Sequence, residues 1–189
     1  MSCNHPSQSH FKLEILDLPW SHQDSEYLRR LQREEIHATY GRPDSEPGTP
    51  PSADDISIFV VAYLYTSPSS NTDDYVSSGV PIACGALRAL PQGEHAPGDV
   101  EIKRMYVHQD YRGRPWSAAQ AVLAALEERA RGRGWTRVVL ETGSLQTAAI
   151  KFYQREGYTE IPKFGVYAQS ALSLCFGKTL PADRECGHV

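Results

Sequence analysis

The sequence predicts a mixed α/β (α+β) fold, one sheet covered by helices, and three observations carry that expectation. Strand-like and helix-like stretches follow in the order β α β β β α β α β β, which suits a helix-covered sheet rather than a bundle or sandwich. The 189 residues suffice for one domain core and fall short of two generous ones. No self-similarity recurs at a period of about 20 to 50 residues, so repeat architectures are set aside.

Phe11 to Leu18 alternates apolar and polar residues as a half-buried strand does, and Ser25 to His37 carries Tyr27, Leu28, Leu31 and Ile36 at helical spacing. Ser57 to Tyr65 and Pro81 to Leu90 are β-branched, aromatic and apolar, and read as an antiparallel pair with a long connection. Val100 to Val107 is a third strand in this run. From Trp116 to Arg133 the apolar residues Trp116, Ala119, Val122, Leu123, Leu126 and Ala130 recur at helical period. Glu127 and Arg131 form an i,i+4 pair on the outer face, and Gly132 and Gly134 stop the helix. Thr136 to Glu141 is a compact strand, a helix runs from about Gln146 to Glu156, and Tyr158 to Ile161 with Ser173 to Leu180 make a closing strand pair. Gly41 to Asp55, Ser67 to Gly79 and Pro91 to Gly98 are rich in Pro, Gly, Ser and Asp and read as loops. The single domain is expected over residues 10–180, with polar tails at 1–9 and 181–189.

Hydrophobic residues make up 40% and charged residues 22%, an ordinary globular balance. The formal charge of −4 gives no general attraction to phosphate backbones or anionic lipid, which argues against nucleic-acid and membrane partners. The longest apolar runs are far short of the roughly 20 residues of a spanning helix, and Met1 to His10 lacks the basic start and apolar stretch of a secretory leader. A cytoplasmic location is expected. Cys3, Cys84, Cys175 and Cys186 are widely spaced, with no CxxC pair and no His at ligand spacing, so free thiols and no metal site are expected.

The chemistry concentrates at Val107 to Ser117, where a strand ends in HQDYRGRPWS and feeds a helix. A strand-loop-helix junction aims backbone N–H groups and the positive end of the helix dipole at one spot. Gly113 permits close backbone approach and Arg112 and Arg114 can flank a pyrophosphate. The alternative at this level is a basic helix start with no ligand.

The run EIKRMYVHQDYRGRPWSAAQAVL, the strand VVLETG and the helix AIKFYQREGY resemble the Gcn5-related N-acetyltransferase (GNAT) superfamily. The resemblance follows the element order from Phe11 to Leu180 and is dense from Glu101 to Tyr158. It implies a mixed, mostly antiparallel sheet of six to seven strands flanked by about four helices. It also implies acetyl-CoA as acyl donor, bound through Arg112, Gly113, Arg114, Pro115, Trp116 and Ser117. The family pattern is Gln/Arg-x-x-Gly-x-Gly/Ala: Arg112 matches, while Pro115 and Ser117 stand where glycines are usual. Pro115 removes one backbone donor, although proline suits a first helical position, and the Ser117 hydroxyl can replace a donor. Pyrophosphate binding weaker by about one charged hydrogen bond is therefore expected.

By the same resemblance, Met105, Tyr106 and Val107 run beside the pantetheine arm, and Gln146 stands where relatives carry a cofactor-touching asparagine. Glu101 falls where several relatives keep a glutamate that deprotonates the acceptor amine, and Tyr153 matches the tyrosine that protonates the departing thiolate. Each has a packing alternative: Glu101 paired with Lys103 or Arg104, and Tyr153 wedged between helix and sheet. Period-two alternation places Glu101, Lys103, Met105 and Val107 on one strand face and Ile102, Arg104 and Tyr106 on the other. Tyr40, Tyr63, Tyr65, Phe164 and Tyr167 are candidates for an acceptor pocket, whereas His108 reads as a solvated loop residue.

The function implied is acetyl transfer to the primary amine of a small-molecule or amino-acid-like acceptor, by a protein that the family habit allows to be a homodimer. A degenerate fold that binds CoA or a partner without turnover is the alternative that Pro115 and Ser117 raise, and transfer of a different acyl group is a third.

Overall fold

The computed structural model describes residues 11–41, 47–66, 78–90 and 95–181. Cys3, Cys186, the expected tails apart from Pro181, and residues 42–46, 67–77 and 91–94 of the three expected loops lie outside the described residues. The elements are β1 (Phe11–Asp17), α1 (Gln23–Tyr40), β2 (Ile58–Thr66), β3 (Val80–Ala89), β4 (Asp99–Val107), α2 (Ala118–Gly132), β5 (Arg137–Gly143), α3 (Thr147–Arg155), β6 (Thr159–Ile161) and β7 (Ser173–Thr179). Single 3₁₀ turns follow β4 at Gln109–Tyr111 and precede β7 at Gly165–Tyr167. The order agrees with the sequence reading, but three α-helices flank the sheet among the described residues, not four. Beyond α1 the chain meets Pro47, Pro50 and Pro51, which lack the N–H that a further helix needs.

The seven strands lie in the order β1-β2-β3-β4-β5-β7-β6, and every pairing is antiparallel except β4 with β5. Alternation along β2 explains why the sheet is covered on both sides. Ile58, Val60, Ala62 and Leu64 pack toward Val122, Leu123 and Leu126 of α2, while Phe59, Val61 and Tyr63 meet Leu28 of α1. His22 caps α1 by accepting from the Asp24 N–H, and Gly41 ends it at φ +67.

Three local expectations change in the structure. Helix α2 begins at Ala118, so Pro115 is not its first residue, and Trp116 packs edge-on against Phe11 and Tyr111 outside the helix. Glu127 is not on an outer face. It is buried, taking the Lys178 ammonium on both oxygens at 2.8 and 3.0 Å and the Tyr158 hydroxyl at 3.0 Å, because β7 and the α3–β6 turn cover that side of α2.

The third change positions the site. Ala86 faces Lys103 and Cys84 faces Tyr106, so one residue of β3 opposes two of β4, and Arg104 takes φ +56 at this bulge. The alternation reverses there: Met105 and Val107 join Ile102 against the α2-side core, and Tyr106 turns to the α1 side. Glu101, Lys103, Met105 and Val107 therefore do not share one face. Past the bulge, β4 leaves β5 as well, their ladder running only from Asp99 opposite Arg137 to Ile102 opposite Leu140.

Candidate active site

The parting of β4 and β5 opens a cleft of about 900 Å³. One wall is the free edge of β4. His108 donates its N–H to Ile82 of β3, so strand alternation turns the N–H and C=O groups of Met105 and Val107 away from β3 and into the opening. Their carbonyls accept from Gln32 Nε2 and Arg112 Nε, each at 3.0 Å. An extended amide-bearing arm, such as the pantetheine of coenzyme A, can pair with such an edge as a further strand would.

At one end the cleft meets the loop before α2. Arg112, Gly113, Arg114 and Ser117 line it, together with Ala118, Ala119 and Gln120 of the first helical turn. Ala121 donates to Ser117 O, so the N–H groups of Ala118, Ala119 and Gln120 precede the first intrahelical bond and face the cleft as donors. Gly113 supplies the turn with φ +76, a conformation an L side chain rarely adopts. The Ser117 N–H is already committed to Gly113 O at 2.9 Å, and Pro115 and Trp116 do not line the cleft. The donor set suits a pyrophosphate, but it is displaced one turn along the chain from the residues the resemblance assigned. Orphan donors belong to the first turn of any helix; what hid them was the helix start, placed at Trp116 instead of Ala118. Arg112 also forms an ion pair through Nη2 with Glu35 of α1 at 2.5 Å.

Along the middle of the cleft lie Gln146, Phe152 and Tyr153. Gln146 precedes α3 and its Oε1 accepts from the Thr142 hydroxyl at 3.0 Å. Tyr153 is 5% exposed, and burial raises its phenol pKa well above the ordinary tyrosine value, so it stays protonated across the physiological range. Tyr40, at the end of α1, spans to the other side. Its hydroxyl accepts from the Leu145 N–H at 3.3 Å and lies where a side chain on Gly143 would sit.

The far end is walled by Lys103, Glu141, Tyr167, Ser170, Leu172 and Ser173. Glu141 accepts from the Ser173 hydroxyl at 2.5 Å. Glu101 is fully buried and is not part of the cleft wall. Its Oε2 takes Arg88 Nε and Nη2 at 2.9 and 2.6 Å, and its Oε1 takes the Tyr167 hydroxyl at 2.6 Å. Burial, then Glu101, raises the Tyr167 pKa. The ion partner anticipated as Lys103 or Arg104 is chiefly Arg88 of β3, with Lys103 at 3.7 Å.

The cleft thus gathers Tyr153, Met105, Tyr106, Val107, Arg112, Gly113, Arg114, Ser117 and Gln146, and leaves Glu101, Pro115 and Trp116 outside its wall. Of the candidate aromatics, Tyr40 and Tyr167 line it, while Tyr63 and Tyr65 pack on the α1 side. His108 accepts from the Asp110 N–H at the 3₁₀ turn. Cys84 and Cys175 are buried free thiols, pushed up to about 12 and about 11 chiefly by burial. Sequence reasoning did not single out Glu141. Its signal was a carboxylate directly after the apolar run Val138–Leu140, in a strand aligned in parallel with β4.

Among the described residues no group of three or more His, Cys, Asp or Glu side chains could hold a metal ion, and no helix is long and apolar enough to cross a membrane.

The chain is 33% identical over 103 residues to an IAA acetyltransferase of Azospirillum brasilense, a stretch covering 54% of this chain and 63% of that protein. It is 36% identical over 76 residues to rat (Rattus norvegicus) N-acetyltransferase family 8 member 2, covering 39% of this chain and 33% of that one. The chain therefore matches less than two thirds of the length of either curated relative. A Klebsiella pneumoniae structure described as an acyl-CoA N-acyltransferase superposes with a TM-score of 0.62 at 28% identity, over 89% of this chain and 97% of that one. The PaiA N-acetyltransferase of Thermoplasma acidophilum, solved with coenzyme A, shares the fold at a TM-score of 0.58 and 16% identity, over 89% of this chain and 99% of that one. With the sequence model of the GNAT acetyltransferase family matching residues 13–158, the splayed strands, the donor-rich start of α2 and the buried tyrosine of α3 have one common source: the chain belongs to the GNAT acetyltransferase family.

Proposed function

We propose that the protein transfers an acetyl group from acetyl-CoA directly to the primary amine of a small acceptor. The observation that carries this reading is the single cleft in which a donor-rich helix start, an open strand edge and a buried, protonated Tyr153 follow one another. The first turn of α2 with Arg112 and Arg114 holds the pyrophosphate, and the outward N–H and C=O groups of Met105 and Val107 orient the pantetheine arm. N–H groups on that edge also polarise the thioester carbonyl. Tyr153 donates its proton to the departing thiolate, which a phenol held neutral by burial can do.

An amine arrives as ammonium and must lose a proton before it attacks. Glu141, the carboxylate at the far end of the cleft wall, is the group we assign to receive it, directly or through one water. Glu101 acts one layer behind, through the Tyr167 hydroxyl it holds, as a positioning residue.

Calorimetric titration with acetyl-CoA, followed by thiol release in the presence of amines, tests the reading. Saturable binding with amine-dependent thiol release is expected, and no binding at millimolar ligand ends it. A second reading, CoA binding without turnover, draws on the two donors missing from the loop: Pro115 has no N–H and that of Ser117 is spent on Gly113 O. Loss of amine acetylation in Glu141→Gln and Tyr153→Phe variants that still bind CoA would exclude it.

A further inference from the structure

At the acceptor end of the cleft the wall carries, among the described residues, one cation, Lys103, and one carboxylate, Glu141, while the Arg88–Glu101 ion pair lies outside it. Glu101 is already satisfied, by two nitrogens of Arg88 on one oxygen and by the Tyr167 hydroxyl on the other. Lys103 Nζ stays 3.7 Å from Glu101, outside hydrogen-bond range, and instead lies 2.7 Å from the Tyr167 hydroxyl. A phenol has one proton, and that proton goes to Glu101. The Lys103 contact is therefore N–H to oxygen, which tethers the ammonium by one of its three donors and leaves it as part of the cleft wall. Its side chain is only 16% exposed, and its ion partner, Glu101 at 3.7 Å, is already hydrogen-bonded by Arg88 and Tyr167, so a second anion in the cleft would meet donors that Lys103 still has to offer.

We infer that the acceptor carries a carboxylate beside its amine, as an α-amino acid does, and that Lys103 Nζ receives it while Tyr167 holds the lysine in place. The inference rests on the amine-acetylation reading above and names the class of amine. Lys103 lies two residues before Met105, roughly 7 Å along β4 from the edge that would present the thioester. A lysine at that distance meets the carboxylate of an acceptor whose amine reaches the thioester. Glu141, on the facing strand, offers the opposite sign to the ammonium on the same carbon.

Matched acceptors test this without any variant. L-phenylalanine, L-phenylalaninamide and phenethylamine are compared by acetyl-CoA-dependent thiol release, with L-leucine and isopentylamine as a second set. A kcat/KM for the carboxylate form at least about tenfold above its amide and its decarboxylated twin is expected, the range of one charged hydrogen bond. Lys103→Met should bring that ratio to within about twofold of unity, and Lys103→Arg should restore it. Equal or better use of the amide and the bare amine overturns the inference while leaving amine acetylation intact. A preference that survives Lys103→Met in a folded variant also overturns it. Binding of N-acetyl-L-phenylalanine to the CoA-loaded protein provides a readout independent of turnover. Lys103-dependent binding with no transfer to any acceptor supports the carboxylate site and fails the transfer reading. Absence of both binding and transfer overturns the inference.

Discussion

The Tyr167 hydroxyl donates to Glu101 at 2.6 Å and accepts from Lys103 at 2.7 Å, so a residue of the 3₁₀ turn before β7 joins a fully buried carboxylate to the cleft wall. Its removal has a predictable cost. Glu101→Gln leaves the half-buried Arg88 without its charge partner, and breaking such a pair costs about 3 kcal/mol. Tyr167→Phe keeps that ion pair and should lose about 1 to 2 kcal/mol. Urea unfolding of the two variants checks the order, and a Tyr167→Phe loss as large as that of Glu101→Gln would contradict it.

Tyr153→Phe removes the proposed proton donor and little packing volume. The expected result is a fall in kcat of about 10²- to 10⁴-fold with the acetyl-CoA KM changed less than about threefold, measured by thiol release. The raised pKa adds a sign to the pH profile. A phenol titrating above its ordinary value keeps its proton at pH 9, so the wild-type rate should rise as the acceptor amine deprotonates and show no alkaline loss there. A descending limb near pH 8 would assign the proton donation to another group.

Tyr153, Tyr158 and Tyr167 all have pKa values raised, with burial the first cause in each. The folded state then retains protons that the unfolded chain releases. The associated stability is present in full below the unfolded tyrosine pKa of about 10 and declines as pH rises above it. Denaturant midpoints measured from pH 8 to 11 should be level and then drop, and Tyr153→Phe should flatten part of the drop.

Glu35 and Arg112 form an ion pair between side chains that are 45% and 47% exposed, and the same arginine also donates to Val107 O. In the proposed complex the CoA pyrophosphate would compete with Glu35 for Arg112. Glu35→Gln is expected to tighten CoA binding by about two- to fivefold, in keeping with the small worth of an exposed pair, and to leave stability within about 1 kcal/mol. Calorimetry at two salt concentrations measures it. Weaker binding would mean that Glu35 holds Arg112 in its ligand-ready position.

Gly143 faces the Tyr40 hydroxyl so closely that a Cβ there would overlap it. Gly143→Ala should push the α1 terminus off the β5–α3 turn and cost about 1 to 3 kcal/mol. Adding Tyr40→Ala to Gly143→Ala removes the overlap, so the double variant should cost less than the two single losses summed. Additive losses in a double-mutant cycle would place the conflict elsewhere.

The order of all ten elements was legible because period-two and helical patterns are set by neighbours in the chain, as in the two apolar faces of Ile58–Leu64 and the stripe from Val122 to Ala130. The family resemblance in turn pointed to Tyr153, Arg112, Gly113, Arg114 and Ser117, which line the cleft, and to Pro115 and Trp116, which do not. What stayed hidden depends on partners distant in sequence. The reversal at Arg104 exists only because β3 supplies one residue against two of β4. Glu127 looked like a surface residue of an amphipathic helix, and only Lys178 and Tyr158, brought by the last strand and the turn after α3, account for its burial. Glu101 is drawn out of the cleft by Arg88 and Tyr167 together, which lie 13 and 66 residues away from it.

The bulge at Arg104 divides β4 into two segments with different obligations. Glu101 and Lys103, before it, are tied to Tyr167 through their side chains, whereas Met105 and Val107, after it, face the cleft through backbone groups that almost any residue would supply. Under the proposed function, a change of residue in the first segment would therefore alter selectivity for the amine without disturbing the grip on the acyl carrier. One nine-residue strand would then keep the choice of acceptor adjustable and the donor constant.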